Sequence, residues 1–213
     1  MSMKKSRVKE KHIRINEIQA AARELFFSKG LKGTTMESIA KKARLSKGTV
    51  YFYFKSKEDL YISMMMPVLE ELGRQLLKFE KDVNELKYET CQEVIIGLKD
   101  VFLLAYQYDT DGLRIVNSFQ QGEHFLEVSE ATSEKISHRA RVNFNVMRRT
   151  FSRAIELGMF KDLNVIKLSD ALWALFVGII QLEESKFRST GKNHLYETLK
   201  YSFRMISDGI CKS

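Results

Sequence analysis

Apolar residues recur every three to four positions along most of this chain, the period of an amphipathic helix. No segment alternates Val, Ile or Thr with polar residues in the way a half-buried strand would. The first helical stretch runs from about Ile13 to Ser28. It places Ile15, Ile18, Ala22, Leu25 and Phe26 on one face. Gly30 stands where a helix-ending glycine belongs, and Gly33 shapes the link onward. Thr34 followed by Glu37 reads as a capping box. Behind it Ile39, Ala40 and Ala43 share a face while Lys41 and Lys42 point away. Arg44-Leu45 turns the chain, and Ser46 caps a second short helix, Lys47 to Tyr53.

A second box, Ser56 with Asp59, opens a helix directed towards Phe79. Pro67 falls inside it and predicts a bend or break between Ser63 and Pro67, because proline removes a backbone hydrogen bond. The residues leave open whether this is a moving connector or a curve around the core. Thr90 to Tyr108 follows, carrying Val94, Ile95, Leu98, Val101, Phe102, Ala105 and Tyr106, and Asp109 to Gly112 breaks it. The pattern then predicts a short helix over Leu113–Gln121, a turn of helix over His124–Glu130, a long basic helix over Ser133–Leu157, and two last helices over Leu168–Arg188 and His194–Ile210. The fold class is all-α. A small N-terminal unit, residues 1–58, precedes a larger helical body, residues 59–213.

Charge sharpens this division. The 213-residue chain carries +8 overall. Its first 57 residues hold 15 Lys and Arg against 4 Asp and Glu, a net of +11, which leaves −3 for the rest. A basic end on a near-neutral body points to nucleic acid. Residues 1–11 read as a basic arm, with a solvated tail as the alternative. A short helix that begins with a basic, small and polar turn suits the DNA major groove, whose width admits one helix. Gly48 lets the backbone come close. Thr49, Tyr51 and Tyr53 bring hydroxyls, and Lys47, Lys55 and Lys57 bring charges for phosphates. A basic helical hairpin that merely faces water is the plainer reading of the same residues.

The residues of this run also carry a family likeness. Leu25-Phe26-Phe27 with Gly30, Thr34-Thr35, Ile39-Ala40, Ser46-Lys47-Gly48-Thr49, Tyr51 with Phe54, and Ser56-Lys57-Glu58 occur in that order. The segment from about residue 12 to residue 61 resembles the DNA-binding domain of the tetracycline-repressor (TetR) family of transcriptional regulators. Phe52 and Tyr53 sit where members of that family vary, so no base preference carries over. The resemblance implies a three-helix helix-turn-helix domain whose DNA contacts fall on Thr34, Thr35, Ser46, Lys47, Gly48, Thr49, Tyr51, Phe52, Tyr53, Lys55 and Lys57. It further implies a helical body around a ligand pocket, with the last two helices pairing with those of a second copy.

That picture requires a homodimer on palindromic double-stranded DNA. Candidate dimer residues are Leu175, Gly178, Ile179, Leu182, Leu199, Phe203 and Ile206. Candidate pocket residues are Phe102, Tyr106, Phe119, Phe125, Phe144, Met147, Phe151, Trp173 and Phe176, with Gln120, Asn143 and Gln181 as polar anchors, for an unknown and largely apolar small-molecule effector. The same aromatics at helical spacing are equally the residues of an ordinary core. Arg148 and Arg149 on the long basic helix raise an anionic effector such as an acyl-coenzyme A. The expected function is a ligand-released repressor. The alternative is a dimeric DNA binder that senses nothing.

No phosphate loop, nucleophile motif or metal-ligand spacing among His12, His124, His138 and His194 supports an enzyme, and no cofactor is expected. The first residues lack the apolar stretch of a signal peptide. The longest apolar run, Leu172–Ile180, is shorter than the roughly 20 residues of a membrane span. A cytoplasmic protein without a membrane partner is therefore expected. Cys91 and Cys211 lack motif spacing and read as reduced thiols.

Overall fold

Side-chain caps decide where most of the helices begin. The computed structural model describes residues 2–120 and 128–212. Its helices are α1 (Ser2–Lys29), α2 (Met36–Lys42), α3 (Lys47–Tyr53), α4 (Lys57–Ser63), α5 (Met66–Asn84), α6 (Cys91–Tyr108), α7 (Thr110–Gln120), α8 (Glu130–Glu156), α9 (Val165–Thr190) and α10 (Leu195–Ile210). Among the described residues the only pairing outside helices is an isolated antiparallel bridge between Phe160 and Cys211.

The capping box of α2 lies one residue later than expected. Thr35 Oγ1 accepts from the Ser38 N–H at 3.1 Å, and Ser38 Oγ accepts from the Thr35 N–H at 3.1 Å. Thr34 is fully buried instead, and its hydroxyl donates to the Gly30 carbonyl at 2.8 Å. Gly30 itself holds a φ of +73°, where a side chain would be strained. Ser46 caps α3 by accepting from the Thr49 N–H at 3.1 Å, and Ser56 caps α4 by accepting from the Asp59 N–H at 2.9 Å. Thr90 and Glu93 form the reciprocal box that starts α6.

The break near Pro67 is complete. Helix α4 stops at Ser63, and Pro67 becomes the second residue of α5, where its missing N–H removes no helical bond. The four-residue break after α6 shrinks to Asp109 alone, because its Oδ1 accepts the Gly112 N–H at 2.9 Å and starts α7 at once. The basic arm is not a separate tail: α1 begins at Ser2. The turn expected at His124–Glu130 falls largely on residues 121–127, outside those described, as does Phe125.

Two compact units result, and their division departs from residue 58. The first comprises residues 1–66 with 114–136, the second residues 67–113 with 137–213. In the first, Ile18, Ala22, Phe26, Ile39, Val50 and Leu60 are buried. The rings of Phe26 and Tyr61 meet edge to face at 5.3 Å, and Gln19 donates to the Ser63 hydroxyl at 3.0 Å. Asp59, nearly buried, accepts from the Ser129 N–H and hydroxyl at 3.2 and 2.8 Å. These contacts tie α4 to α1 and to the residue that precedes α8.

In the second unit Phe79, Phe102, Phe151, Phe176 and Phe203 are fully buried. Cys91 and Cys211 are joined by a disulfide across a separation of 120 residues, which corrects the expectation of reduced thiols. Their Cα atoms lie 5.5 Å apart, because α10 packs along α6 and brings its C-terminal end to the start of that helix. Helix α9 is long and apolar enough to cross a membrane by length and composition. The Leu172–Ile180 run alone did not reveal this. Part of its apolar surface is already used, since Leu172, Trp173, Phe176 and Ile180 are buried in the unit.

Glu183 is a fully buried charge of this unit. Its carboxylate accepts from Lys186 Nζ at 2.8 Å, the His194 N–H at 3.0 Å and the Thr198 hydroxyl at 3.0 Å, and so ties α9 to the first turn of α10. The bonds from Lys186, His194 and Thr198 hold its pKa down from 4.5 to about 2. The stability it contributes is therefore complete above pH 4.5 and lost as pH falls towards about 2. Glu183→Gln is expected to flatten the acid limb of an unfolding-versus-pH curve and to lower stability at neutral pH. An acid limb identical to that of the wild type would contradict this role.

Candidate nucleic-acid interface and effector cluster

Helix α3 is seven residues long and buries only Val50 within the described packing. Lys47, Gly48, Tyr51 and Phe52 are exposed on it, and Lys55 is exposed just beyond its end. Positions four apart lie on one face, so Lys47 stands above Tyr51 and Gly48 above Phe52. A Cβ built on Gly48 would meet nothing closer than Ser46 Oγ at 3.8 Å. Arg44, in the turn between α2 and α3, adopts a φ of +58° and is exposed. The exposed face is therefore cationic at its edges, open at Gly48 and aromatic at Tyr51 and Phe52.

Several expected DNA contacts have other employment. Thr34 is buried and bonded within the domain. Lys57 is half-buried and its ammonium donates to the Leu31 carbonyl at 3.0 Å, which holds the α1–α2 loop to α4. The hydroxyls of Ser46 and Thr49 pair at 2.8 Å around the cap of α3. Thr35 remains exposed at the start of α2.

In the second unit the expected pocket residues separate into groups. Phe102, Trp173 and Phe176 form one aromatic cluster, with ring centroids 4.9 Å (Phe102–Phe176), 5.6 Å (Phe102–Trp173) and 5.9 Å (Trp173–Phe176) apart. Phe144 joins it at 6.2 Å from Trp173, and the Arg148 guanidinium lies 5.7 Å from the Phe144 ring. Among the described residues Trp173 Nε1 and Arg148 Nε of this cluster are buried without a hydrogen-bond partner, as is Asn143 Oδ1, which faces Gly73. The amide of Asn143 donates its other end to the Leu69 carbonyl at 2.8 Å.

Other expected members lie elsewhere. Phe151 packs on Phe160 at 5.9 Å, and Phe119 belongs to the first unit. Gln120 and Gln181 are exposed, so neither anchors a pocket. Tyr106 is half-buried, with its hydroxyl 3.5 Å from Glu184. Arg149 is exposed and bound through two nitrogens to Glu80 at 2.7 and 3.1 Å, a pairing that raises its pKa.

An open groove of about 420 Å³ does exist in this unit, between α5 and α6, and none of the expected pocket residues lines it. Its carboxylates are already committed. Asp82 pairs with Lys87 at 2.6 Å, Asp100 with Lys99 at 2.6 Å, and Glu93 caps α6.

The family description "Bacterial regulatory proteins, tetR family" matches residues 18–64, the segment that holds α2, α3 and α4. A fatty acid metabolism regulator protein of Bacillus subtilis (strain 168) is 27% identical over 155 residues, 73% of this chain and 75% of its own length. This chain is a transcriptional regulator with a TetR-family DNA-binding domain. Regulators of this family are DNA-binding proteins and not enzymes. Among the described residues no group of His, Cys, Asp and Glu is placed to hold a metal ion.

The TetR-family likeness extends over the whole fold. A tetR-family regulatory protein from Rhodococcus RHA1 superposes with a TM-score of 0.69 at 16% identity, covering 94% of this chain and 98% of that one. FadR from Bacillus subtilis in complex with stearoyl-CoA superposes with a TM-score of 0.63 at 20% identity, covering 90% and 96%. On α9 and α10, two expected dimer residues are buried within the unit. Leu199 and Phe203 are fully buried, and Phe203 lies 6.3 Å from Phe102. Ile179 is also buried, while Leu175 and Ile206 are half-buried. Leu182 and Gly178 are exposed, together with Phe187, Tyr201 and Met205.

Proposed function

We propose that this regulator is a homodimeric repressor that reads a palindromic operator through α3 and is released by a long-chain acyl-coenzyme A. In this reading the first unit is the DNA-binding domain, and the second senses the ligand and dimerises through the outer face of α9 and α10. The protein works in the cytoplasm, where its operator is. Exposed Leu182, Phe187, Tyr201 and Met205 supply apolar surface for a second copy, and Gly178 has open space where a side chain would stand.

One observation carries the ligand class. Trp173 Nε1 and Arg148 Nε are buried without partners beside an aromatic cluster. Burying a donor unpaired costs free energy that a ligand acceptor would recover. A thioester carbonyl or phosphate supplies such acceptors, and an acyl chain matches the aromatic wall. The relative whose name refers to fatty acid metabolism and the FadR structure that holds stearoyl-CoA favour the same class. Because Phe102 and Phe176 already fill the cluster, the ligand selects a rearranged state, and only its preference for that state over the DNA-binding one releases the operator. By linkage, DNA must weaken ligand binding by the same factor.

The test is a titration of acyl-coenzyme A thioesters of increasing chain length against the protein–operator complex. Release by the long-chain members is expected. Arg148→Gln should need roughly tenfold more ligand for the same release, the loss of one charge-assisted bond, with operator affinity unchanged. Equal ligand affinity for free and DNA-bound protein would refute the mechanism and leave a DNA binder that senses no such ligand.

A further inference from the structure

We infer that Phe52 is a base-reading residue that recognises thymine through its C5 methyl group. The inference rests on the reading of α3 as the DNA-contacting helix. Phe52 is 81% exposed, in a domain whose other apolar residues on α2 and α4, Met36, Ile39, Leu60 and Ile62, are buried. It contributes nothing to the core, and its side chain has no donor or acceptor for a phosphate. Its ring is not adrift: Tyr53 meets it edge to face at 5.1 Å with the planes at 88°, which limits where it can point.

Phe52 stands one turn from Gly48 on the same face, and Gly48 is open. A helix that settles against DNA at a residue without a side chain lowers the residue one turn on into the groove. Lys47 and Lys55 at either side are then placed for phosphates. Of the groups that base pairs display in the major groove, the thymine methyl is the apolar one, and an exposed phenyl ring is its complement.

The experiment uses the full-length protein and a duplex enriched by selection from a random library. Each thymine of a half-site is replaced in turn by deoxyuridine, which lacks only the methyl, and affinity is measured at near-physiological salt. Wild type is expected to lose about three- to fivefold at one or two positions, the worth of one buried methyl. Phe52→Ala should bind thymine and uracil duplexes equally and keep the wild-type salt dependence. Because the ratio is read within one protein, a general loss of affinity does not confuse it. Uracil tolerated at every position, or an unchanged thymine preference in Phe52→Ala, would overturn the assignment. A chain that enriches no duplex at all would overturn the DNA-contacting reading of α3 and the Phe52 assignment with it.

Discussion

Gly48→Ala is expected to stabilise the first unit while weakening DNA binding roughly tenfold or more. The two effects share one origin. Glycine in a helix costs about 0.5–1 kcal/mol relative to alanine, because more backbone freedom is lost on folding. Nothing among the described residues asks for that cost: a Cβ at position 48 meets only Ser46 Oγ, at an ordinary 3.8 Å, and Gly48 does not have the positive φ of Gly30. A residue that the fold does not need is then explained by what approaches from outside. If the phosphate backbone or a base edge comes within contact distance of α3 at Gly48, one methyl holds the helix off, and the contacts of Lys47, Tyr51 and Phe52 lengthen together. The thermal midpoint of Gly48→Ala should rise slightly while fluorescence anisotropy on a labelled operator reports the loss. A variant that binds as well as wild type would mean that α3 does not meet DNA at that turn.

Reduction of the Cys91–Cys211 disulfide is expected to lower stability by about 2–4 kcal/mol, the usual effect of a native bond that closes a long loop. Here the bond spans 120 residues of chain and fixes the end of α10 to the start of α6. A strand-like pairing holds the same end of α10 to the segment between α8 and α9: Lys161 donates its N–H to the Ile210 carbonyl at 3.0 Å, and Lys212 donates to the Met159 carbonyl at 3.3 Å. Disulfides are uncommon in reducing compartments. Both cysteines are buried, at 5% and 8% exposure, which restricts attack by an external thiolate. Denaturant titrations with and without a reductant measure the difference, and Cys91→Ala with Cys211→Ala should reproduce the reduced curve without reductant. Two free thiols in unreduced, denatured protein, with superimposable titrations, would contradict the bond.

What could be read in the sequence was local. Ser46 to Tyr53 was legible to the residue, since the cap and the seven-residue helix are both set by neighbours in the chain. The break at Pro67 was legible for the same reason. The capping box read at Thr34 forms at Thr35, because the start of α2 is set by turning Met36, Ile39 and Ala40 inward, which is tertiary information. The partner of Cys91 could not be found from spacing, because packing of α10 on α6 brings Cys211 to it. Periodicity grouped Leu199 with Phe203 correctly. It could not say that this face meets α6 of the same chain, leaving Tyr201 and Met205 outside. Lys57 and Arg149 read as free cations because their partners, the Leu31 carbonyl and Glu80, are 26 and 69 residues away.

The central claim is that α3 of each of two copies reads DNA sequence. Selection from a random duplex library at near-physiological salt tests it most directly, since the basic first unit would bind any DNA weakly when salt is low. Enrichment of a palindrome with half-sites one helical turn or a multiple apart, bound by two chains, with a thymine under each Phe52, is expected. Binding that is salt-sensitive but enriches no sequence, or a single chain bound to an asymmetric site, would contradict it.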